Sequence, residues 1–294
     1  MGKTSPDDLT LFNKPQKPIC MNTLLIPTDF STVADNALKY ALDMATQYQL
    51  DLTLFHVVQL AAPAMANMVY VDTMTDLAKH AEERMAEKCK SLKAEYPNLN
   101  FNYKVETGLL LDSLEATCQE LKPIAVVMGI TGDGTGVDKI IGSNAILAMN
   151  SLTNPLIVVP KNGYFRAVNK LCFACDLKNV ATSTPLLAIK AFAKLFNAEV
   201  HILNIDYHNR NYSPNTQNEI EVLNLMFDTI EHKFHFIENE SVQEAINDFI
   251  DHNDMDLLIM LPKKHSFFES LFRRSQTKEM LYHSHIPILA LHHS

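Results

Sequence analysis

Hydrophobic positions along this chain come in two textures. Short solid apolar runs at residues 23–26, 52–58, 124–128 and 155–159 are too brief for helices and are bounded by turn-forming residues. They read as strands buried on both faces. Between the first two runs, Val33, Ala34, Ala37, Leu38, Ala41, Leu42 and Ala45 recur at three- and four-residue spacing, which predicts an amphipathic helix. Ser31 stands in its N-cap position. A charged helix around Leu77 to Leu92, a strand over 101–105, and helices over 110–121 and 143–152 complete the first stretch. Strands alternating with helices predict a mostly parallel sheet covered on both faces, an α/β doubly wound architecture.

The pattern then restarts. Residues 171–176 repeat the first strand and its closing aspartate, Asp176 lying 147 positions after Asp29. Thr184 and Pro185 predict an N-cap and a first helical residue, followed by an apolar face of Leu187, Ala188, Ala191, Phe192 and Leu195. Residues 200–205, 257–260 and 287–291 match the second, fourth and fifth strands. Pro287 lies only 132 positions after Pro155, so the second copy is about fifteen residues shorter, the loss falling between its second and fourth strands. The expected organisation is an N-terminal extension (1–20), a first domain (21–162), a polar linker around 161–166, and a second domain (167–294).

Composition narrows the possibilities. The 294 residues are 47% hydrophobic, enough for two cores, and the formal charge of -9 excludes broad electrostatic binding to nucleic acid or anionic membranes. No apolar run approaches the roughly 18 residues of a membrane span, and residues 1–20 lack a signal-peptide core, so a cytoplasmic location is expected. Five cysteines without dense spacing predict reduced thiols. Cys172 and Cys175 have redox-motif spacing but fall on a strand, where residues three apart point to opposite faces.

Candidate chemistry concentrates in one place. Five of the eight glycines fall between Gly129 and Gly142, after a buried strand and before a helix start. Such a loop lets backbone approach an anion, and the following helix offers free N–H groups to phosphate. In open parallel sheets ligands sit beyond the carboxyl ends of the strands. Those ends carry Pro27, Thr28 and Asp29, then Val57, then Met128 and Gly129.

The segment Pro27-Thr28-Asp29-Phe30-Ser31 together with Gly129-x2-Gly132-x9-Gly142-Ser143 resembles the universal stress protein family (UspA-like) in its tandem two-domain form. The resemblance implies two tandem Rossmann-like, adenine nucleotide α-hydrolase-like domains, each a five-stranded parallel sheet of order 3-2-1-4-5. It also implies ATP or a related adenine nucleotide, the ligand of some members. Carried over, Pro27, Thr28 and Asp29 line the adenosine side and Val57 the adenine slot. Met128 and Gly129 face the ribose, and Gly132, Gly142, Ser143 and Asn144 hold the phosphates. Asp133 departs from the family, in which a basic residue commonly follows the second glycine. With Asp138, it calls for Mg²⁺ between carboxylate and phosphate, while Lys139 offsets part of that charge. In the second copy Leu261, Lys264 and Arg274 replace the glycines, leaving one expected nucleotide site per chain. The aromatic and basic residues between Lys263 and Arg274 read as a helix packing Phe267, Phe268, Leu271 and Phe272, with a side-chain anion site as the alternative.

The family's fifth strand is a dimer contact, which implies a pseudo-dimer within the chain or a homodimer. Twelve histidines show no zinc-ligand spacing, and no catalytic triad, carboxylate pair or Walker lysine is legible. The expected function is a nucleotide-binding stress-response module. The alternatives are a slow ATP-hydrolysing or adenylyl- or phosphoryl-transferring enzyme of the same superfamily, and a scaffold without ligand.

Overall fold

The structure, a computed structural model, describes residues 22–59, 70–130, 143–206, 214–262 and 286–292. In the first half, β1 (Thr23–Pro27), α1 (Thr32–Tyr48), β2 (Asp51–Val58), α2 (Tyr70–Glu95), β3 (Phe101–Thr107), α3 (Leu110–Leu121), β4 (Ala125–Gly129), α4 (Ser143–Ser151) and β5 (Leu156–Val159) follow in order. The second half runs β6 (Lys170–Ala174), α5 (Val180–Ser183), α6 (Leu186–Phe196), β7 (Glu199–Asp206), α7 (Thr216–Met226), β8 (His232–Glu238), α8 (Val242–Asn253), β9 (Leu257–Met260) and β10 (Ile288–Ala290).

All ten strands form one sheet of order β3-β2-β1-β4-β5-β10-β9-β6-β7-β8. Each half has the order 3-2-1-4-5 and is parallel throughout. The halves join where β5 runs antiparallel to β10, with Ile157 opposite Leu289. Alternate strand residues feed two buried layers. Leu24 and Ile26 face the layer roofed by α1, α2, α6 and α7. Leu25 faces the layer roofed by α3, α4 and α8. Both layers run across both halves, so the apolar fifth strands cover each other and leave no sticky edge.

The linker strengthens the join. Phe165 packs edge-on against Tyr40 and Tyr48 of α1, at ring-centroid separations of 5.3 and 6.0 Å. Tyr48 also meets Phe196 of α6 at 5.0 Å, and its hydroxyl accepts the Val168 N–H at 3.1 Å. The carboxylate of Asp256, before β9, is buried. It pairs with Arg166 Nε at 2.8 Å and accepts the N–H groups of Asn169 (2.8 Å) and Lys170 (3.0 Å). A buried carboxylate needs such partners to offset its lost hydration.

Three local expectations shift. The charged helix begins at Tyr70 and has 26 residues, against 11 in its counterpart α7, a difference that matches the shortening of the second copy. Thr184 and Pro185 sit one position earlier than expected: Thr184 closes the short α5, and Pro185 is the N-cap of α6. The reason is Asn179, whose left-handed backbone starts an extra turn that uses Thr184 to end itself. The third strand of the second half, for which the sequence offers no solid apolar run, is β8, at the sheet edge opposite β3 and made of exposed and half-buried residues. Cys172 and Cys175 lie in opposite core layers, so their spacing creates no dithiol; both are buried and neither forms a disulfide.

Candidate functional site

The site grows from the turn after β1. Thr28 is buried; its N–H donates to Phe55 O (2.8 Å), and its carbonyl accepts from His56 Nδ1 (2.7 Å). A carbonyl can only accept, so His56 carries its proton on Nδ1. Thr28 Oγ1 accepts the Phe30 N–H at 3.0 Å, and Asp29 Oδ1 accepts the Ser31 N–H at 3.0 Å. These two bonds hold Phe30 at φ 61°, in the left-handed region. Ser31 Oγ then caps α1 by accepting the Ala34 N–H at 3.2 Å. Asp29 is left exposed. Phe30 turns away onto His56 (5.0 Å between rings), beneath the Arg84 guanidinium 3.8 Å above it.

At the carboxyl ends of β1 and β4 these residues border a cleft of about 100 Å³. Pro27, Thr28, Asp29, Met128, Gly129 and Asn144, all expected site residues, line it together. So do Val33, Ala34, Leu110 and Ala145, which sequence reasoning missed, although the capped start of α1 directly after Asp29 was a usable signal. The first turns of α1 and α4 both open on the cleft, giving it backbone donors and the positive ends of two helix dipoles. Pro27, Met128 and Leu110 give it apolar walls. Val57 is not in this lining: it lies half-buried on β2, paired with Glu106. Gly132, Gly142, Asp133, Asp138, Lys139 and the segment from Lys263 to Arg274 lie outside the described residues, and Ser143 is placed only as the first residue of α4. Among the described residues no group of three or more His, Cys, Asp or Glu is arranged to hold a metal, and no helix is long and apolar enough to cross a membrane.

The second half rebuilds the same turn with other side chains. Cys175 takes the place of Thr28, its N–H donating to Leu203 O at 2.9 Å and its Sγ accepting the Leu177 N–H at 3.4 Å. Asp176 Oδ1 accepts the Lys178 N–H at 3.1 Å, Leu177 adopts φ 54°, and Asn204 donates to Cys175 O at 2.9 Å, as His56 does to Thr28.

Fold and cleft together define a tandem doubly wound α/β protein with a small cleft at the switch point of its first half. The model of the Universal stress protein family matches residues 21–160 and again 169–292. The chain belongs to that family, in tandem form. No curated protein matches its sequence. Among solved structures it is similar to a universal stress protein from Archaeoglobus fulgidus, with 16% identity over 93% of this chain and 99% of that one and a TM-score of 0.70. It is also similar to a functionally unknown protein from Pseudomonas aeruginosa (12% identity, 93% of both chains, TM-score 0.55). A universal stress protein in complex with cAMP matches at 18% identity over 47% of this chain and 96% of that one, with a TM-score of 0.32. For the first two, at these identities, the likeness speaks to the fold alone.

Proposed function

We propose that this chain is an adenine-nucleotide-binding regulatory module of the stress response, with one nucleotide site, in its first half. The observation that carries this reading is the convergence of an exposed carboxylate, Asp29, and the first turns of two helices on one cleft with apolar walls. That donor set fits a nucleotide. Pro27, Met128 and Leu110 suit the flat faces of base and sugar, Asp29 suits ribose hydroxyls as donors, and the Asn144 and Ala145 N–H groups at the start of α4 suit phosphate. Gly132, Gly142 and Ser143 complete the phosphate side of the proposal. Mg²⁺ is proposed as the bridge between Asp133, Asp138 and the phosphates. The module reading is proposed ahead of the enzyme, which would need a positioned base or arginine to stabilise a transferring phosphoryl group. The cytoplasm is the proposed location.

Calorimetric titration of the purified chain with Mg-ATP tests this reading directly, alongside mass spectrometry of the gently purified protein for a retained nucleotide. Binding at one nucleotide per chain, lost in Asp29→Ala and Gly142→Leu, is the expected result. The same titration with cAMP tests whether a triphosphate is needed. No heat and no retained nucleotide would leave the scaffold reading standing.

A further inference from the structure

Far from the cleft, at the other end of the sheet, two imidazoles meet under α8. His201 on β7 and His235 on β8 stack at 5.1 Å between centroids with 12° between planes, and His201 Nδ1 lies 3.0 Å from His235 Nε2. Phe249 of α8 covers both rings, 6.5 Å from His201 and 4.8 Å from His235. His201 is 5% exposed, and its other nitrogen, Nε2, is buried without a hydrogen bond. Glu199 Oε2 lies 3.4 Å from that nitrogen, and Glu199 Oε1 pairs with Lys233 Nζ at 2.6 Å.

The groups around the pair are few. Glu199 and Lys233 lie on the same two strands. Lys170 stands at the start of β6, its ammonium donating to Asn253 O at 2.8 Å. Cys172, aligned with His201 on β6, stays a neutral thiol because burial pushes it up strongly. From α8 the packed side presents Phe249, while Glu244, Asp248, Asp251 and His252 are exposed.

A nitrogen-to-nitrogen contact of this length holds only when one ring donates its N–H and the other offers a lone pair. With both rings neutral that condition is met. One added proton keeps it met, because the proton goes to an outer nitrogen; on His201 that nitrogen faces Glu199. A second proton leaves no lone pair between the rings and sets two N–H groups and two positive charges against each other. Metal binding is not an alternative for the cluster, since Glu199 and His235 address opposite nitrogens of His201.

We propose that the His201–His235 pair is a proton-operated latch, which fastens the outer strand β8 and the helix α8 to β7 while at most one of the two rings is charged and releases them when both are. Burial lowers the affinity of both rings for protons. Glu199 opposes this for each, while Lys233 adds to it for both and Lys170 for His201. The doubly charged state therefore lies below the ordinary histidine range, and the two protons enter in separate macroscopic steps. Release would loosen the edge that carries Phe234 and Phe236, whose rings stack at 6.3 Å, with Phe236 already 58% exposed.

The test uses the wild-type chain without nucleotide, which keeps it independent of the proposed cleft function. Imidazole ¹⁵N NMR from about pH 7.5 to about pH 4.5 follows both rings, while hydrogen exchange corrected for intrinsic rates follows the backbone. Two separated titration steps are expected. Amides of β8 and α8 should exchange at least about tenfold faster below the second step, with β1 and β4 unchanged. His235→Gln, which carries no charge and can offer His201 Nδ1 an N–H when that nitrogen has a lone pair or an amide oxygen when it is protonated, should abolish the acceleration. The latch is overturned by unchanged protection of β8 across the range, by equal loosening of both halves, or by acceleration that survives in His235→Gln.

Discussion

Gly129, the last residue of β4, abuts the first turn of α1: a β-carbon there would stand 2.4 Å from the carbonyl oxygen of Val33 and 2.8 Å from its Cγ1. The glycine expected to make room for a ligand is thus required first by the protein itself. It brings the carboxyl end of β4 close enough to α1 for Met128, Pro27 and Asn144 to share one cleft. Gly129→Ala should cost about 1–3 kcal/mol, as overpacking does, and weaken Mg-ATP binding with it. Urea unfolding and calorimetry on the same variant measure both. An alanine variant as stable as wild type would show that α1 shifts freely.

Metal dependence separates the phosphate side of the site from the rest. If Mg²⁺ bridges Asp133 and Asp138 to the phosphates, Mg-ATP should bind about tenfold or more tightly than ATP in EDTA, a difference of about 1.4 kcal/mol. Adenosine, which has no phosphates, should bind equally in both conditions. Equal ATP affinity with and without the metal removes the bridge.

Continuity of the sheet across β5 and β10 predicts joint unfolding of the two halves. Leu289 is fully buried opposite Ile157, so Leu289→Ala should cost about 2–5 kcal/mol while leaving one calorimetric transition. A second transition, in wild type or variant, would mean that the halves are energetically separate.

Tyr40, sealed between α1 and the linker, gives an alkaline signature. Burial, then the neighbouring Tyr48 and Asp256, push its hydroxyl far above the usual tyrosine value. A raised folded-state value means that the neutral ring contributes stability below about pH 10, and that this is lost as pH rises beyond it and the unfolded chain ionises. Unfolding followed from about pH 9 to about pH 11 should therefore show a stability decline that Tyr40→Phe reduces. An identical decline in that variant would place the alkaline sensitivity elsewhere.

Thiol accessibility offers a simple check of both core layers. Burial pushes Cys89 up to about 11, and burial followed by Glu115 pushes Cys118 up to about 12. Cys172 and Cys175 are buried as well. A thiol reagent at neutral pH should label at most one of the five cysteines in the folded chain, Cys20, and all five in denaturant. Fast labelling of two or more folded-state thiols would contradict the packing.

What the sequence determined by itself was whatever depends on neighbours along the chain. Strand–helix alternation, the restart near Leu171 and the Ser31 cap were legible because periodicity and capping act over a few residues. The 110–121 helix agrees with α3 to the residue, its apolar positions being regular. The fold family was legible in the spacing of Pro27-Thr28-Asp29 and the glycines. Tertiary structure decided what depends on distant partners. Two apolar fifth strands read the same whether they pair within a chain or between chains, and only the assembled sheet sets Ile157 against Leu289. The outer strand β8, which places His232, Lys233 and His235 among its apolar residues and has no buried position, lacks the solid apolar run that marks β7. Leu110, at the start of α3, joins the cleft, and Val57, on β2, stays outside its lining, through placement of helix and strand that no local pattern encodes. His201 meets His235, 34 positions away, because β7 and β8 pair in one particular register, and register is a property of the sheet.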